Sequence, residues 1–485
     1  MPDFRFCVDE VSLFERPVKF RMPFRYGIVT LEAAPEVYVR VRISTADGAT
    51  AEGISADLLA PKWFDKSTDF TNEQNFEQLR KSVLMAADRY VDPARIDTAF
   101  GHHAAHEEAH HAACVACDLP GLVASFGIAQ IDRAILDACC RVRGISVFDA
   151  IRTNLPAITA ATAPDLDGFD IAQFLSTLTP KESIDIRHTV GLTDAIWESD
   201  IADEDRIGDG LPQSLEANCK FYGLRSFKIK LCGDAEADIA RLAQIAEVLE
   251  TQVGDYFCTL DGNEQFEDAK QFLEFWHTVL GDPQLEKLAR SVQIVEQPIN
   301  RLKALEAPLG VLGDLVPVEI DESDADIDAF PKAIALGYRG VSSKSCKGIY
   351  RSLLNRARVE MLNQGAGGEA GAYFMSAEDL STQAGVALQQ DLSLASLIGC
   401  THIERNGHQY GDGLSGISAP WRKALQAAHP DMYVEQGERL CLDIRKGKID
   451  LRSLQVQGFG VLVSPPFDDM RCLAPNFSAS NFRFL

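Results

Sequence analysis

Between residues 183 and 430 the chain runs eight times through one pattern, a short β-like stretch followed by a stretch with helical periodicity. No other feature restricts the fold so strongly. Alternating β and α segments call for a parallel sheet, because a parallel neighbour is reached only through a long crossover. The β-like stretches are 184–192, 226–231, 256–263, 292–297, 316–322, 340–345, 372–378 and 401–404. Eight such units predict an α/β fold closed as a (β/α)8 TIM-type barrel, in which chemistry sits at the carboxyl ends of the strands.

The flanking segments read differently. Residues 4–55 alternate apolar and polar positions, as in Val37, Val39, Val41 and Ile43, with a turn at Asp47-Gly48; this predicts an antiparallel sheet. From residue 72 to about 143 apolar positions recur every three or four residues, as in Ile128, Ile131, Ile135 and Leu136, which predicts helices. The expected organisation is an α+β capping domain over 1–155, the barrel over 183–430, and a segment, 431–485, that returns to the capping domain. Strand-like runs such as 458–463 would make that return. The stretch 156–182 is either an insertion or an earlier first strand.

Composition limits the partners. The 485 residues include 47 lysines and arginines against 71 aspartates and glutamates, a net charge of -24. Such a field repels nucleic acid and anionic membranes, and it does not steer an anionic substrate inward. A carboxylate substrate would therefore need a locally positive site. The first 25 residues carry Asp3, Asp9, Glu10 and Glu15 and no apolar run, unlike a signal peptide, and no apolar stretch approaches bilayer length. With no such leader, the 12 cysteines read as reduced thiols of a cytoplasmic protein. Homo-oligomerisation stays open.

The ends of the expected strands carry the chemistry: Lys228-Ile229-Lys230, Asp261-Gly262-Asn263, Glu296-Gln297-Pro298, Asp321-Glu322-Ser323 and Lys344. Side chains alternate along a strand, so Lys228 and Lys230 share the face toward the barrel axis. Asp261, Glu296 and Asp321 lie one βα unit apart and would converge as three hard oxygen ligands, a set suited to Mg²⁺, with Mn²⁺ as the alternative. Such an ion would stabilise the charge that develops when a proton leaves the carbon beside a carboxylate. Lys228 would depress the pKa of Lys230 and make it a base. Lys344, four strands away in an eight-strand ring, would face it across the substrate.

These motifs resemble the enolase superfamily, specifically its mandelate racemase and muconate lactonizing enzyme branch. The resemblance spans nearly the whole chain and rests on Phe227-Lys228-Ile229-Lys230, Leu260-Asp261-Gly262-Asn263, Val295-Glu296-Gln297-Pro298, Ile320-Asp321-Glu322-Ser323 and Ser343-Lys344. Met22-Pro23-Phe24 looks like that family's first specificity loop. The resemblance implies Asp261, Glu296 and Asp321 as metal ligands, Lys230 and Lys344 as the acid/base pair, and Lys228 as their electrostatic helper. A lysine on the sixth strand is similar to the muconate lactonizing type, whose members include cycloisomerases, dipeptide epimerases, N-acylamino acid racemases and o-succinylbenzoate synthases. The chain departs from them in its length, in the extended segment before the barrel, and in Cys346-Lys347-Gly348, where the family often has two glycines.

The expected activity is a racemase, epimerase or cycloisomerase acting on a small carboxylate. A carboxylate dehydratase on the same scaffold and a non-catalytic metal-stabilised binding protein are the alternatives. Candidate substrate contacts are Phe24, Trp63 in the run Pro61-Lys62-Trp63-Phe64, Asn263, Glu322, Glu378, Glu404 and His408, with His402 beside them. Two further signals compete. His106, His110, Cys114 and Cys117 have the spacing of a soft-metal site on one helix face, but no second Cys-x-x-Cys accompanies them, and an alanine-rich helix with buried cysteines is the plainer reading. The glycine-rich run 365–371 lacks the lysine and hydroxyl residue of a phosphate loop and reads as a loop before the seventh strand.

Overall fold

In the computed structural model, which describes residues 4–26, 29–365, 371–380, 383–414 and 416–474, the valine alternation forms the centre of an antiparallel sheet. Strand β2 (Val29–Thr45) pairs with β1 (Phe6–Tyr26) on one side and β3 (Thr50–Leu58) on the other. Val37, Val39, Val41 and Ile43 are fully buried beneath helices α1 (Asn72–Tyr90), α2 (Ala99–Val115) and α3 (Gly121–Arg143). Thr71 caps α1 in a reciprocal capping box with Gln74. The helical reading of 72–143 needs one correction. Asp92-Pro93 stops α1, and Asp92–Asp97 forms a short edge strand, β4, against β1.

The sheet meets α3 at Gly53. A Cβ there would lie 2.0 Å from the carbonyl oxygen of Ala134 and 2.2 Å from the amide nitrogen of Ala138. Helix backbone, unlike a side-chain tip, cannot move aside cheaply. Gly53→Ala is expected to cost about 1–3 kcal/mol or more, seen as a lower Tm in thermal unfolding; an unchanged Tm contradicts this packing.

Eight parallel strands follow, β5 (Ser183–Val190), β6 (Ser226–Lys230), β7 (Phe257–Asp261), β8 (Val292–Glu296), β9 (Val318–Ile320), β10 (Gly340–Ser343), β11 (Phe374–Asp379) and β12 (His402–Arg405). Each pairs with the next, and β12 pairs with β5 to close the barrel. The expected (β/α)8 barrel with its capping domain is the observed architecture. The stretch 156–182 is not an earlier first strand; it carries the helix Ile171–Thr177, whose Phe174 and Leu175 join the barrel's outer core.

The C-terminal segment divides between the two domains, which corrects its reading as a return to the cap alone. After the hairpin β13 (Tyr433–Gln436) and β14 (Arg439–Leu442), β15 (Lys448–Asp450) pairs antiparallel with the start of β5, and only β16 (Arg471–Ala474) joins β1. The run 458–463 is not a strand. It packs irregularly on α3, with Arg141 donating to the Val461 carbonyl at 2.7 Å. The glycine-rich run at 365–371 lies mostly outside the described residues. Among the described residues no helix is long and apolar enough to cross a membrane.

Cap and barrel are joined by polar contacts beside the barrel mouth. Arg21 of β1 donates to Asp209 and to the carbonyls of Leu211, Pro212 and Gln409 at 2.8–3.1 Å. On another side Arg301 holds the Trp63 carbonyl at 2.9 Å and pairs with Glu264. Arg301 thereby fixes the residue 61–66 loop over the strand ends.

Candidate active site

Parallel register sets the ionisable residues at one height: Lys230 pairs with Asp261, and Asp261 with Glu296. Lys228, one side-chain repeat deeper on β6, is buried. Its ammonium lies 3.0 Å from Asp261, 2.7 Å from Glu296 and 3.7 Å from Glu378, and it also bonds Glu404. Thr189 on β5 donates to Glu404 as well. Lys230 bonds the same Asp261 oxygen as Lys228.

On the opposite side Lys344 follows β10. It bonds Glu378 and lies 3.2 Å from Asp321, while the Trp63 ring covers it at 4.9 Å. Three residues on, a 3-10 turn brings the buried Lys347 ammonium back to Asp321, 2.9 Å from the carboxylate and 2.7 Å from the carbonyl. Gln297 fixes the loop that carries Asp321: its amide oxygen accepts from the Asp321 and Ser323 backbone N–H groups at 2.8 and 3.1 Å.

The electrostatics follow from crowding charge away from water. Burial, aided by the charges of Asp261, Asp321 and Glu404, pushes the Glu296 carboxyl up to about 7. Burial and the neighbouring Glu296 push Glu319, its register partner on β9, up to about 8. Asp321 moves the other way; burial opposes its charge, but Lys344 and Lys347 outweigh burial and hold it well below the usual carboxylate range. Burial likewise opposes the Lys230 charge, and Lys228 acts with it, but the carboxylates of Asp261, Glu404 and Glu296 together outweigh them, so the pKa is raised. Lys228 thus acts in the expected direction on Lys230, and these three carboxylates oppose it.

An oxygen from each of Glu296, Asp321 and Glu378 lies within 4.8 Å of the other two, and Glu296 Oε2 is buried without a hydrogen-bond partner. An all-carboxylate donor set with an orphaned acceptor fits a hard divalent cation. The expected triad is thus regrouped: Glu296 and Asp321 stand together with Glu378, while Asp261 is turned to the two lysines.

Above these groups lies a cavity between barrel and cap. The barrel contributes Lys230, Asn263, Asp321, Glu378, Glu404 and Asn406; the cap contributes Phe24, Leu31, Leu58, Ala60 and Trp63. Lys344 lies immediately beneath, behind Trp63 and Glu378.

No family model and no curated protein matches the sequence. Solved structures do match in shape. A mandelate racemase/muconate lactonizing protein from Herpetosiphon aurantiacus superposes with a TM-score of 0.57 at 15% identity, covering 95% of this chain and 99% of that one. A dipeptide epimerase from Enterococcus faecalis V583, complexed with Mg and the dipeptide L-Leu-L-Tyr, gives 0.58 at 14%, covering 94% and 99%. For 2-chloromuconate cycloisomerase from Rhodococcus opacus 1CP the values are 0.54 and 18%, covering 95% and 97%. The fold is that of the enolase superfamily.

Within this enolase-type fold most of the anticipated residues meet. Phe24, Trp63, Asn263, Glu378 and Glu404 line the cavity, with Lys228, Lys230, Asp261, Glu296, Asp321 and Lys344 at or below its floor. Glu322 is buried and not among the cavity-lining residues; Asn263 donates to it at 3.2 Å, and burial, with the charge of Asp321, pushes it up to about 7.

Two histidines are corrections. His408 sits in the short helix Gly407–Tyr410, which turns it away from the cavity to His188, with 2.8 Å between ring nitrogens. His402 is the first residue of β12, at the wrong end of the barrel, against Phe257. His110 Nε2 lies 3.1 Å from the Ala124 carbonyl and 3.3 Å from Cys114 Sγ, and His103 pairs with Asp132 at 2.7 Å.

Lys347, Thr189 and Asn406 were not anticipated as site residues. For Lys347 a signal exists, since Lys344-Ser345-Cys346-Lys347 has the spacing of a single turn that returns to the same neighbour.

Proposed function

We propose that this chain is an enzyme that removes the proton α to a substrate carboxylate, as a racemase, epimerase or cycloisomerase, using Lys230 and Lys344 as opposed acid and base. The observation that carries the reading is their placement at the ends of β6 and β10, four strands apart in a closed ring of eight, on either side of one carboxylate cluster. A substrate between them presents one face of its α-carbon to each lysine.

Glu296 and Asp321, with Asp261 or Glu378, are the residues that would hold Mg²⁺ or Mn²⁺, whose charge when bound favours the carbanionic form of a carboxylate's α-carbon. The dipeptide epimerase of like fold, complexed with Mg, supports this assignment.

The chain's own groups account for the proton. Burial and Lys228 both disfavour charge on Lys230, and Asp261, together with Glu404 and Glu296, opposes them, so turning Asp261 away from Lys230 shifts the lysine toward its neutral, proton-accepting form. Lys344, in contact with Glu378 and Asp321, serves the other face, and Trp63 shields it from water. Lys228 stays out of proton transfer. Its contacts with Asp261, Glu296 and Glu404 hold its pKa well above the ordinary lysine value despite burial.

The test is α-proton exchange. Incubated in D₂O with Mg²⁺ and a panel of chiral carboxylates, the protein is expected to place deuterium at the α-carbon of at least one recovered compound, read by NMR. No exchange with any of them overturns the proposal and leaves the binding-protein alternative.

A further inference from the structure

The two walls of the cavity differ in chemistry. Among the described residues everything the cap supplies, Phe24, Leu31, Leu58, Ala60 and Trp63, is apolar, and Leu380 of the barrel adjoins it. The only lysine or arginine lining the cavity among the described residues is Lys230, and it is already paired with Asp261. The cations close by are committed too: Lys228 and Lys344 to carboxylates of the floor, and Arg405 to Asp379. The remaining charged groups on the barrel wall, Asp321, Glu378, Asp379 and Glu404, are acidic, and Asn263 and Asn406 are its neutral polar groups.

We infer that the substrate is a monocarboxylate whose distal part is an uncharged hydrophobic group, aromatic or branched aliphatic, lodged under the cap. This rests on the proton-abstraction reading for the orientation, with the carboxylate at the floor and the distal group outward. A second carboxylate at the distal end would meet apolar walls with no cation to pair it, and would be desolvated without compensation. A polyhydroxylated distal chain under the cap would lose its water to Phe24, Leu31, Leu58 and Ala60, which return no hydrogen bonds. A hydrophobic group meets no such penalty, and removing it from water against Phe24, Leu31 and Leu58 favours binding.

Calorimetric titration of the intact protein in Mg²⁺ with 3-phenylpropanoate, glutarate and gluconate tests this directly. The first is expected to bind at least ten-fold more tightly than either of the others. Equal or tighter binding of glutarate or gluconate, or no detectable binding of 3-phenylpropanoate, overturns the inference. Leu31→Arg places a cation in the apolar wall and is expected to raise glutarate affinity at least ten-fold relative to 3-phenylpropanoate; an unchanged ratio in a variant with native circular dichroism counts against it. The α-exchange assay on the same acids separates the two proposals. Exchange that prefers glutarate sinks the substrate class and leaves proton abstraction standing, whereas selective binding of 3-phenylpropanoate without exchange in any acid sinks proton abstraction and leaves the apolar subsite.

Discussion

Lys230→Ala is expected to slow α-proton exchange of one enantiomer of a chiral substrate by about 10²- to 10⁴-fold, the usual contribution of a positioned acid or base, while the other enantiomer continues to exchange. Lys344→Ala is expected to do the converse. The reasoning is geometric. The two lysines approach from opposite sides of the ring, so each faces the α-hydrogen of only one enantiomer when the carboxylate is held in one place. Net racemisation needs both and should vanish in either variant. Each lysine also neutralises a carboxylate, Asp261 for Lys230, and Asp321 with Glu378 for Lys344, so metal affinity must be measured alongside to separate a lost base from a disturbed site. Should either variant, with metal binding intact, exchange both enantiomers at the unaltered rate, the division of labour between the two lysines is wrong. If both variants lose both enantiomers equally, a single face does the chemistry and the opposed pair is not a pair.

What the sequence disclosed about this site, and what it withheld, follows from the range over which each feature is determined. Lys228 and Lys230 were legible because alternation along a strand is local: with apolar Ile229 turned outward, both ammoniums must face the axis. The order Asp261, Glu296, Asp321 was legible because successive parallel strands bring their ends together: Asp261 and Glu296 are level, and Asp321, two residues past the partner of Glu296, stands one side-chain repeat higher. The barrel itself followed from eight such units, and the buried face of β2 from its valines.

The rest depends on contacts between distant segments. Glu378 joins Glu296 and Asp321 because Lys228 and Lys344 pull it inward from β11, and no local pattern contains that. Strand-end position alone misplaced His408, since the short helix after β12 carries it outward to His188, on a strand more than two hundred residues earlier in the chain. Lys347 escaped notice for a related reason; a lysine beyond a strand end is ordinarily solvated, and only the 3-10 turn at Ser345–Lys347 brings it back. The split of the C-terminal segment between barrel and cap turns on a three-residue strand, too short for alternation to reveal.

Lys228→Met should give the largest loss of stability of any single change in the site. Its ammonium is 1% exposed and serves Asp261, Glu296 and Glu404, with Glu378 further off. Methionine preserves much of the volume and removes the charge. Taking one partner from a buried ionic network leaves the others uncompensated, at a cost of about 3–5 kcal/mol, measurable by urea unfolding in the absence of divalent ions. The deficit should depend on pH with a definite sign. Burial raises the folded-state pKa of Glu296 from 4.5 to about 7, so the folded chain holds a proton there that the unfolded chain has lost; that contribution is complete below pH 4.5 and disappears as pH rises through 7. Without Lys228 the same carboxyl rises further, because its main attractive partner is gone. The variant should therefore lose stability more steeply than the unaltered protein above pH 7 and come closest to it near pH 5. Mg²⁺ should restore a large part of the loss, since an ion that binds only the folded chain adds about 2.7 kcal/mol at a hundred times its Kd, and the carboxylates freed by the substitution are the ones that would ligate it. A metal-free variant as stable as the unaltered protein at pH 8 would mean that Lys228 does not hold this cluster together. A deficit that Mg²⁺ leaves unchanged would mean that Glu296 and Asp321 do not form a cation site.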